Sequence, residues 1–522
     1  MPEIDLEIYD TTLRDGSQQE GISLTVGDKL RIAGLLDELG VDYVEGGWPG
    51  ALPKDDAFFS RAQTELDFRN ATLVAFGSTR RPQTSANQDQ QLQALIAADT
   101  STICIVGKAW DYHVREALRT DLNEGLRMVA DSVAFLRNHD RRVFFDAEHF
   151  FDGYQANSDY AIGVLKAALD AGAERLVLCD TNGGTLPHQI TETIGKVAAE
   201  LPEATIGVHF HNDSGCAVAS SLAAVGAGAR QIQGCINGYG ERTGNADLCS
   251  VIPDLVLKMG IPVLSRERLA ELAPTSHHIA EIVNISLDPH RPYVGSSAFT
   301  HKAGLHTSAL ARRPDAYEHT PPGGVGNFTR MVVSEQAGRV AVMRKASDLG
   351  LELTEDDARK VVARVKDLEH RGYQYEAADG SFELLIRRTL GWEQDFFVLE
   401  SFRTFVERSA SGQVVAEATV KLTVRSERLV TTGEGNGPVN ALDQALRAAL
   451  RVHYPSIDNL RLTDYRVRVL DSSDGTGATV RVLLETSDGE WSWTTLGVHE
   501  NVIEASWEAL VDGIVVGLLR SL

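Results

Sequence analysis

His209 and His211 stand two apart in Thr205-Ile-Gly-Val-His-Phe-His-Asn-Asp213, a run that reads as a β-strand. Successive strand residues point to opposite faces, so this spacing puts both imidazoles on the same one. Near its start the chain has a second strand-like run, Ile8-Tyr-Asp-Thr-Thr-Leu-Arg-Asp-Gly-Ser-Gln18, which breaks off at Arg14 and Asp15. If the two strand ends meet, two neutral imidazoles and a carboxylate converge beside a guanidinium, a set suited to a divalent cation holding an oxygen-rich substrate. A single strand-borne histidine is more often a hydrogen-bonded core residue. The same-face pair together with Asp15 is what points to metal ligands and to a metal-dependent enzyme.

The elements that must position these residues recur along the first half of the chain. From residue 1 to about 260, eight β-rich runs alternate with helix-period segments such as Lys29–Leu39 and Tyr160–Leu169. The strands are expected at Ile4–Tyr9, Tyr43–Gly46, Thr72–Phe76, Thr102–Val106, Val143–Glu148, Leu176–Asp180, Ile206–Phe210 and Ile232–Ile236. Eight βα units, with no Gly-x-Gly-x-x-Gly turn after the first strand, predict a (β/α)8 TIM barrel rather than an open doubly wound sheet. Arg14, Asp15, Glu45, Glu148, Thr181, Asn182, His209, His211 and Asn237 then all fall at the C-terminal ends of strands, on one rim. Barrel closure sets strand one beside strand eight, one position from strand seven, so Asp15 can reach the histidines.

Beyond the barrel (1–273), residues 274–396 read as a helical extension interrupted by a Pro- and Gly-rich loop, placed over or beside the barrel mouth. Residues 397–522 read as a C-terminal α+β domain. Thr431, Gly433, Val439, Ala441, Ala445, Leu446 and Leu450 recur 64 residues later as Thr495, Gly497, Ile503, Ala505, Ala509, Leu510 and Ile514. A duplicated βββα unit with a Gly turn feeding each helix explains the recurrence, against chance likeness of two amphipathic stripes. That domain holds no carboxylate–histidine cluster, so it reads as a control and dimerisation module.

The net charge of -23 argues against nucleic acid and anionic membrane partners. There is neither a basic-then-apolar start nor an apolar run of membrane-spanning length, and the five cysteines form no Cys-x-x-Cys pair, so a cytoplasmic metabolic protein with buried thiols is expected.

Asp10-Thr-Thr-Leu-Arg-Asp-Gly-Ser-Gln18, His209-Phe-His-Asn-Asp213 and Asn237-Gly-Tyr-Gly-Glu-Arg-Thr-Gly-Asn-Ala246 together resemble the DRE-TIM metallolyase superfamily. Through Phe299-Thr-His-Lys-Ala-Gly-Leu-His306 and the final domain, the chain is similar to the 2-oxo acid Claisen-condensing enzymes, the citramalate, 2-isopropylmalate and homocitrate synthases. Glu45-Gly-Gly-Trp-Pro-Gly50, Phe145-Asp-Ala-Glu-His-Phe-Phe-Asp-Gly153 and the stretch Trp493–Ser506 look most like the citramalate branch. The resemblance implies that Asp15, His209 and His211, with Asn245 as a further ligand, bind zinc, manganese or magnesium. It implies that Arg14 faces the keto oxygen and that Glu148 and Thr181 position the 2-oxo acid. His306 would take the proton from acetyl-CoA, with Tyr317 nearby in sequence and His301 as a rival base. The family often carries Glu two residues after the metal Asp; Ser17 stands there instead.

The implied reaction joins acetyl-CoA to pyruvate to give (R)-citramalate, with 2-isopropylmalate synthesis from a branched oxo acid as the alternative. Two further readings are an acyl-CoA carbon–carbon lyase, which the His306 segment and the duplicated domain speak against, and a catalytically dead amino-acid sensor, which intact Arg14, Asp15, His209 and His211 speak against. A homodimer controlled by an amino acid, isoleucine first and leucine second, completes the implied picture.

Overall fold

The computed structural model describes residues 5–301, 313, 315, 317–331, 339–375, 378–392, 395–470 and 477–521. It divides into two compact units, Met1–Phe299 with His319–Phe328, and Thr300–Glu318 with Thr329–Leu522.

In the first unit eight parallel strands close into a barrel: β1 (Glu7–Asp10), β2 (Tyr43–Gly47), β3 (Thr72–Ser78), β4 (Thr102–Lys108), β5 (Arg142–Glu148), β6 (Arg175–Asp180), β7 (Ile206–Phe210) and β8 (Gln231–Gly234). Closure is made by β1 on β8, with Tyr9 opposite Gln233. All eight expected strands are present. β8 stops two residues early because the chain turns at Ile236–Gly238, where Asn237 takes a left-handed φ of 58°. Helices start where side chains can cap them: Thr25 and Asp28 close a reciprocal capping box on Val26–Leu39.

Period-two alternation sorts the strand residues into two cores. Ile8, Val44, Ile103, Phe145, Val208 and Ile232 face the helices and are fully buried. The opposite face fills the barrel interior, and its apolar layer is Tyr9, Tyr43, Val74, Cys104 and Phe144. Further along the same face of β5, and at the C-terminal end of β7, the side chains become Asp146, Glu148, His209 and His211. The interior therefore grades from aromatic to ionisable toward the C-terminal rim. Helix Leu272–Val283 adds Ile279 and Val283 to the outer core.

The second unit carries helices Arg339–Asp348, Glu355–His370 and Asp379–Thr389, then two antiparallel three-stranded sheets. The first is β9 (Val398–Arg408), β10 (Val414–Val424) and β11 (Glu427–Gly435), followed by helix Pro438–Leu450. The second is β12 (Arg461–Val469), β13 (Val480–Ser487) and β14 (Ser492–His499), followed by helix Val502–Arg520. The duplication is thus a βββα unit used twice. Its equivalence extends to single bonds: Thr431 Oγ1 donates to the Ala445 carbonyl at 2.8 Å, and Thr495 Oγ1 to the Ala509 carbonyl at 2.7 Å. The Gly residues correct the expectation of turns. Gly433 lies within β11 and Gly497 within β14, where the following helix crosses so closely that a methyl group on either would meet its backbone. Among the described residues no helix is long and apolar enough to cross a membrane.

Candidate active site

The ends of β1, β5, β6 and β7 bring Arg14, Asp15, Glu148, Thr181, His209 and His211 around one cavity of about 380 Å³. Asp15, His209 and His211 are buried, and one ligand atom from each falls within 4.8 Å of the others. His209 Nε2 is 3.2 Å and His211 Nε2 3.8 Å from Asp15 Oδ2. Two atoms beside this trio have no hydrogen-bond partner among the described residues although both are buried: His211 Nδ1 and the Asn245 side-chain oxygen. His211 and Asn245 pair as an isolated β-bridge, which carries Asn245 to the end of β7, while its amide nitrogen donates to the Tyr239 carbonyl at 2.9 Å. Two imidazoles, a carboxylate and an unspent amide oxygen fit the donor set of a divalent cation.

Arg14 is fixed from three sides. Its Nε donates to Glu45 Oε1 at 2.6 Å, its Nη1 lies 3.4 Å from Asp15 Oδ2, and its guanidinium carbon sits 3.8 Å over the Phe76 ring. Glu45, fully buried at the middle of β2, also accepts the Tyr9 hydroxyl at 2.6 Å. Burial works against charge at Arg14, but Glu45 and Asp15 hold it firmly protonated. Burial would likewise raise Asp15; the Arg14 guanidinium and His209 instead keep its carboxyl well below the usual range. His211 is pushed down to about 4 by burial and by His209, so it is a neutral imidazole at physiological pH.

Thr181 Oγ1 accepts the His149 backbone N–H at 2.9 Å, which leaves its own hydroxyl proton to donate elsewhere. Glu148 is paired with Lys108 across β4 and β5. Sequence reasoning did not single out Lys108, Asp146, Gln233, Trp48, Phe76 or Arg242; all but Gln233 line the cavity. Asp146 and Gln233 could have been found by the rule that found the histidines, since each stands two residues from another polar residue inside an apolar strand, Glu148 and Gln231.

Of the other sequence-derived residues, Asn182 and Asn237 lie in the first unit without lining the cavity, and His301 and Tyr317 belong to the second unit. His306 lies outside the described residues. Tyr317 is half exposed, and His301 Nε2 lies 3.8 Å from Glu318 Oε1.

Residues 5–278 match the HMGL-like family, 293–373 the homocitrate synthase post-HMGL domain-like family, and 376–518 the LeuA allosteric (dimerisation) domain. The chain is 50% identical to the (R)-citramalate synthase of Aquifex aeolicus over 516 residues, covering 98% of each. It is 53% identical over 517 residues to that of Streptomyces coelicolor, covering 98% of this chain and 97% of the relative. It is 46% identical over 512 residues to that of Sulfolobus acidocaldarius, covering 98% and 96%.

Proposed function

Since the chain belongs to the (R)-citramalate synthase family, we propose that it condenses acetyl-CoA with pyruvate, giving (R)-citramalate and CoA for isoleucine biosynthesis. The observation that carries this reading is the rim cluster, in which a buried Asp–His–His set and a fixed arginine share one cavity. A divalent cation, zinc, manganese or magnesium, held by Asp15, His209 and His211 with Asn245, would supply Lewis-acid polarisation of the oxo acid. The chain's own groups do the rest. With Nε tied to Glu45, Arg14 keeps its terminal nitrogens for the keto oxygen and stabilises the alkoxide that develops there. The Thr181 hydroxyl proton is available to the substrate carboxylate, and Glu148, braced by Lys108, bounds the other side.

The acetyl methyl must lose a proton before its carbon can attack the keto carbon. His306 is assigned that role by resemblance, with Tyr317 nearby in sequence, and a neutral imidazole is a suitable acceptor. Carbon–carbon bond formation turns the keto group into an alkoxide, which takes up a proton. Water then cleaves the thioester and releases CoA.

The C-terminal match supports a homodimer with an allosteric effector, for which we assign isoleucine and, second, leucine. The cytoplasm is the compartment assigned. Full-length protein incubated with acetyl-CoA and a panel of 2-oxo acids, with released CoA titrated by a thiol reagent, tests the reading. Pyruvate should give the highest turnover, and isoleucine should depress it. A preference for 2-oxoisovalerate would replace the reading with 2-isopropylmalate synthesis.

A further inference from the structure

His209 and His211 are both buried at the end of β7, yet only His209 has its second ring nitrogen engaged. His209 Nδ1 lies 2.9 Å from Gln233 Oε1, directly across the β7–β8 pairing that sets the two residues opposite one another. Gln233 in turn donates its Nε2 to Asp146 Oδ1 at 3.0 Å, across the barrel interior to β5. The same oxygen accepts the Cys104 thiol at 3.1 Å. Gln233 is fully buried and Asp146 nearly so.

The polarity of this chain has one solution. The Cys104 thiol already donates to Asp146 Oδ1, so that atom is an acceptor, and Gln233 turns its amide nitrogen toward Asp146 and its oxygen toward His209. An oxygen there accepts only, so the His209 proton sits on Nδ1. Nε2 is then the nitrogen left for a metal, and it is Nε2 that lies 3.2 Å from Asp15 Oδ2. Either a proton or a divalent cation can lie between them; with Nδ1 committed to Gln233, Nε2 is the nitrogen that takes the cation.

We infer that Gln233, oriented by Asp146, is a positioning residue that fixes the His209 tautomer and ring so that Nε2 is presented to the divalent cation. This rests on the metal-site reading above but makes a separate claim. Outer partners of this kind hold ligand rings in place, and losing one costs about 10–100-fold in metal affinity.

The test is a titration of the full-length protein with Mn2+ alone, reading free Mn2+ by its electron paramagnetic resonance, together with metal-free thermal unfolding. Gln233→Met keeps the side chain's length and removes both hydrogen bonds. It should weaken Mn2+ binding by about 10–100-fold with little change in metal-free unfolding; a purely structural role would move the unfolding midpoint and leave the affinity alone. Asp146→Asn with Gln233→Glu rebuilds the polarity from the other end, since Asn can donate to Glu and Glu can accept from His209. The double variant should bind Mn2+ within about threefold of the unaltered protein, whereas Asp146→Asn alone should bind more weakly because it lets the Gln233 amide flip. Affinity in Gln233→Met equal to that of the unaltered protein would overturn the inference, and so would a double variant no better than Asp146→Asn, an arm that decides the matter if Gln233→Met does not fold. Absence of Mn2+ binding to the unaltered protein would instead sink the metal-site reading itself.

Discussion

Asp15 on the barrel rim and the pair Glu508 and Asp512 on the last helix are all carboxylates withdrawn from water, and the two regions treat them in opposite ways. At Asp15 the Arg14 guanidinium, itself largely withdrawn from solvent, keeps the acid ionised despite its surroundings. At Glu508 and Asp512 burial prevails and both acids are raised. Asp512 does touch a cation, Arg388, at 2.9 Å, but that side chain is half exposed and its charge is largely spent on solvent. In the barrel, charge is concentrated where a cation and an oxyanion would need it. In the C-terminal unit the packing itself is the demanding feature, as Gly433 and Gly497 show.

Removing ligands should break this contrast most completely. Asp15→Ala and His211→Ala each take one donor from a set with few to spare, so condensation should vanish and bound metal should fall on elemental analysis. Either variant turning over normally with a full complement of metal would detach the rim cluster from the chemistry.

Arg14→Lys retains the charge but has no Nε for Glu45 and no planar face for Phe76. Turnover should drop by about 10²–10³-fold, the usual loss for an oxyanion donor, with the fall mainly in kcat. A change confined to KM would make Arg14 a binding residue only.

In the second region the expected effects are on stability. A methyl group at Gly497 would collide with the Ala505 carbonyl oxygen, and at Gly433 it would come within 2.6 Å of the Ala441 carbonyl oxygen. Backbone oxygens inside a helix cannot swing aside, so each Ala variant should lose about 1–3 kcal/mol, with Gly497→Ala the worse of the two. Calorimetric melting of the full chain reads this, and the Mn2+ affinity of the barrel should not follow. Equal stability of both variants would mean that helix and sheet separate easily and that the two glycines are incidental.

These two kinds of feature were unequally legible. The barrel's strand count, its closure and the Asp15–His209–His211 meeting all follow from local periodicity plus one topological rule, so the sequence carries them. Lys108 escaped because a single polar residue in an apolar strand carries no partner label, and Asp146 and Gln233, though each has a polar residue two away, because which polar residues meet across the barrel depends on strand stagger. Gly433 and Gly497 were seen as a repeat but misread as turns. Glycine marks close approach and tight turning alike, and only the crossing helix distinguishes them. β9 and β11 were not picked out individually either. Their residues are mostly exposed or half-exposed, which leaves no buried stripe for the alternation to reveal.

The mildest expected effect separates the two ways of burying an acid by pH. Glu508 accepts the Tyr373 hydroxyl at 2.7 Å and the Val498 N–H at 3.0 Å, and Asp512 accepts the Ser381 hydroxyl at 2.9 Å. These bonds favour the ionised forms, but burial outweighs them and raises both carboxyls in the folded state. An acid raised by folding binds its proton more tightly folded than unfolded. Its contribution to stability is therefore complete below the unfolded value of about 4 and is lost as pH rises through the folded value. Asp15, shifted the other way, stays ionised across the same interval. Between pH 4 and pH 7, roughly the carboxylate window, the C-terminal unit should lose part of its stability as pH rises, beyond any change the whole chain shares. The double variant Glu508→Gln with Asp512→Asn removes both titrations while keeping side-chain size and acceptor oxygens. Its melting temperature should gain on the unaltered chain at pH 7 and lose that gain at pH 4, the low end of the window. A gain that instead grows toward acid would mean that the two acids are held ionised in the fold, as Asp15 is, and that Arg388 governs them after all.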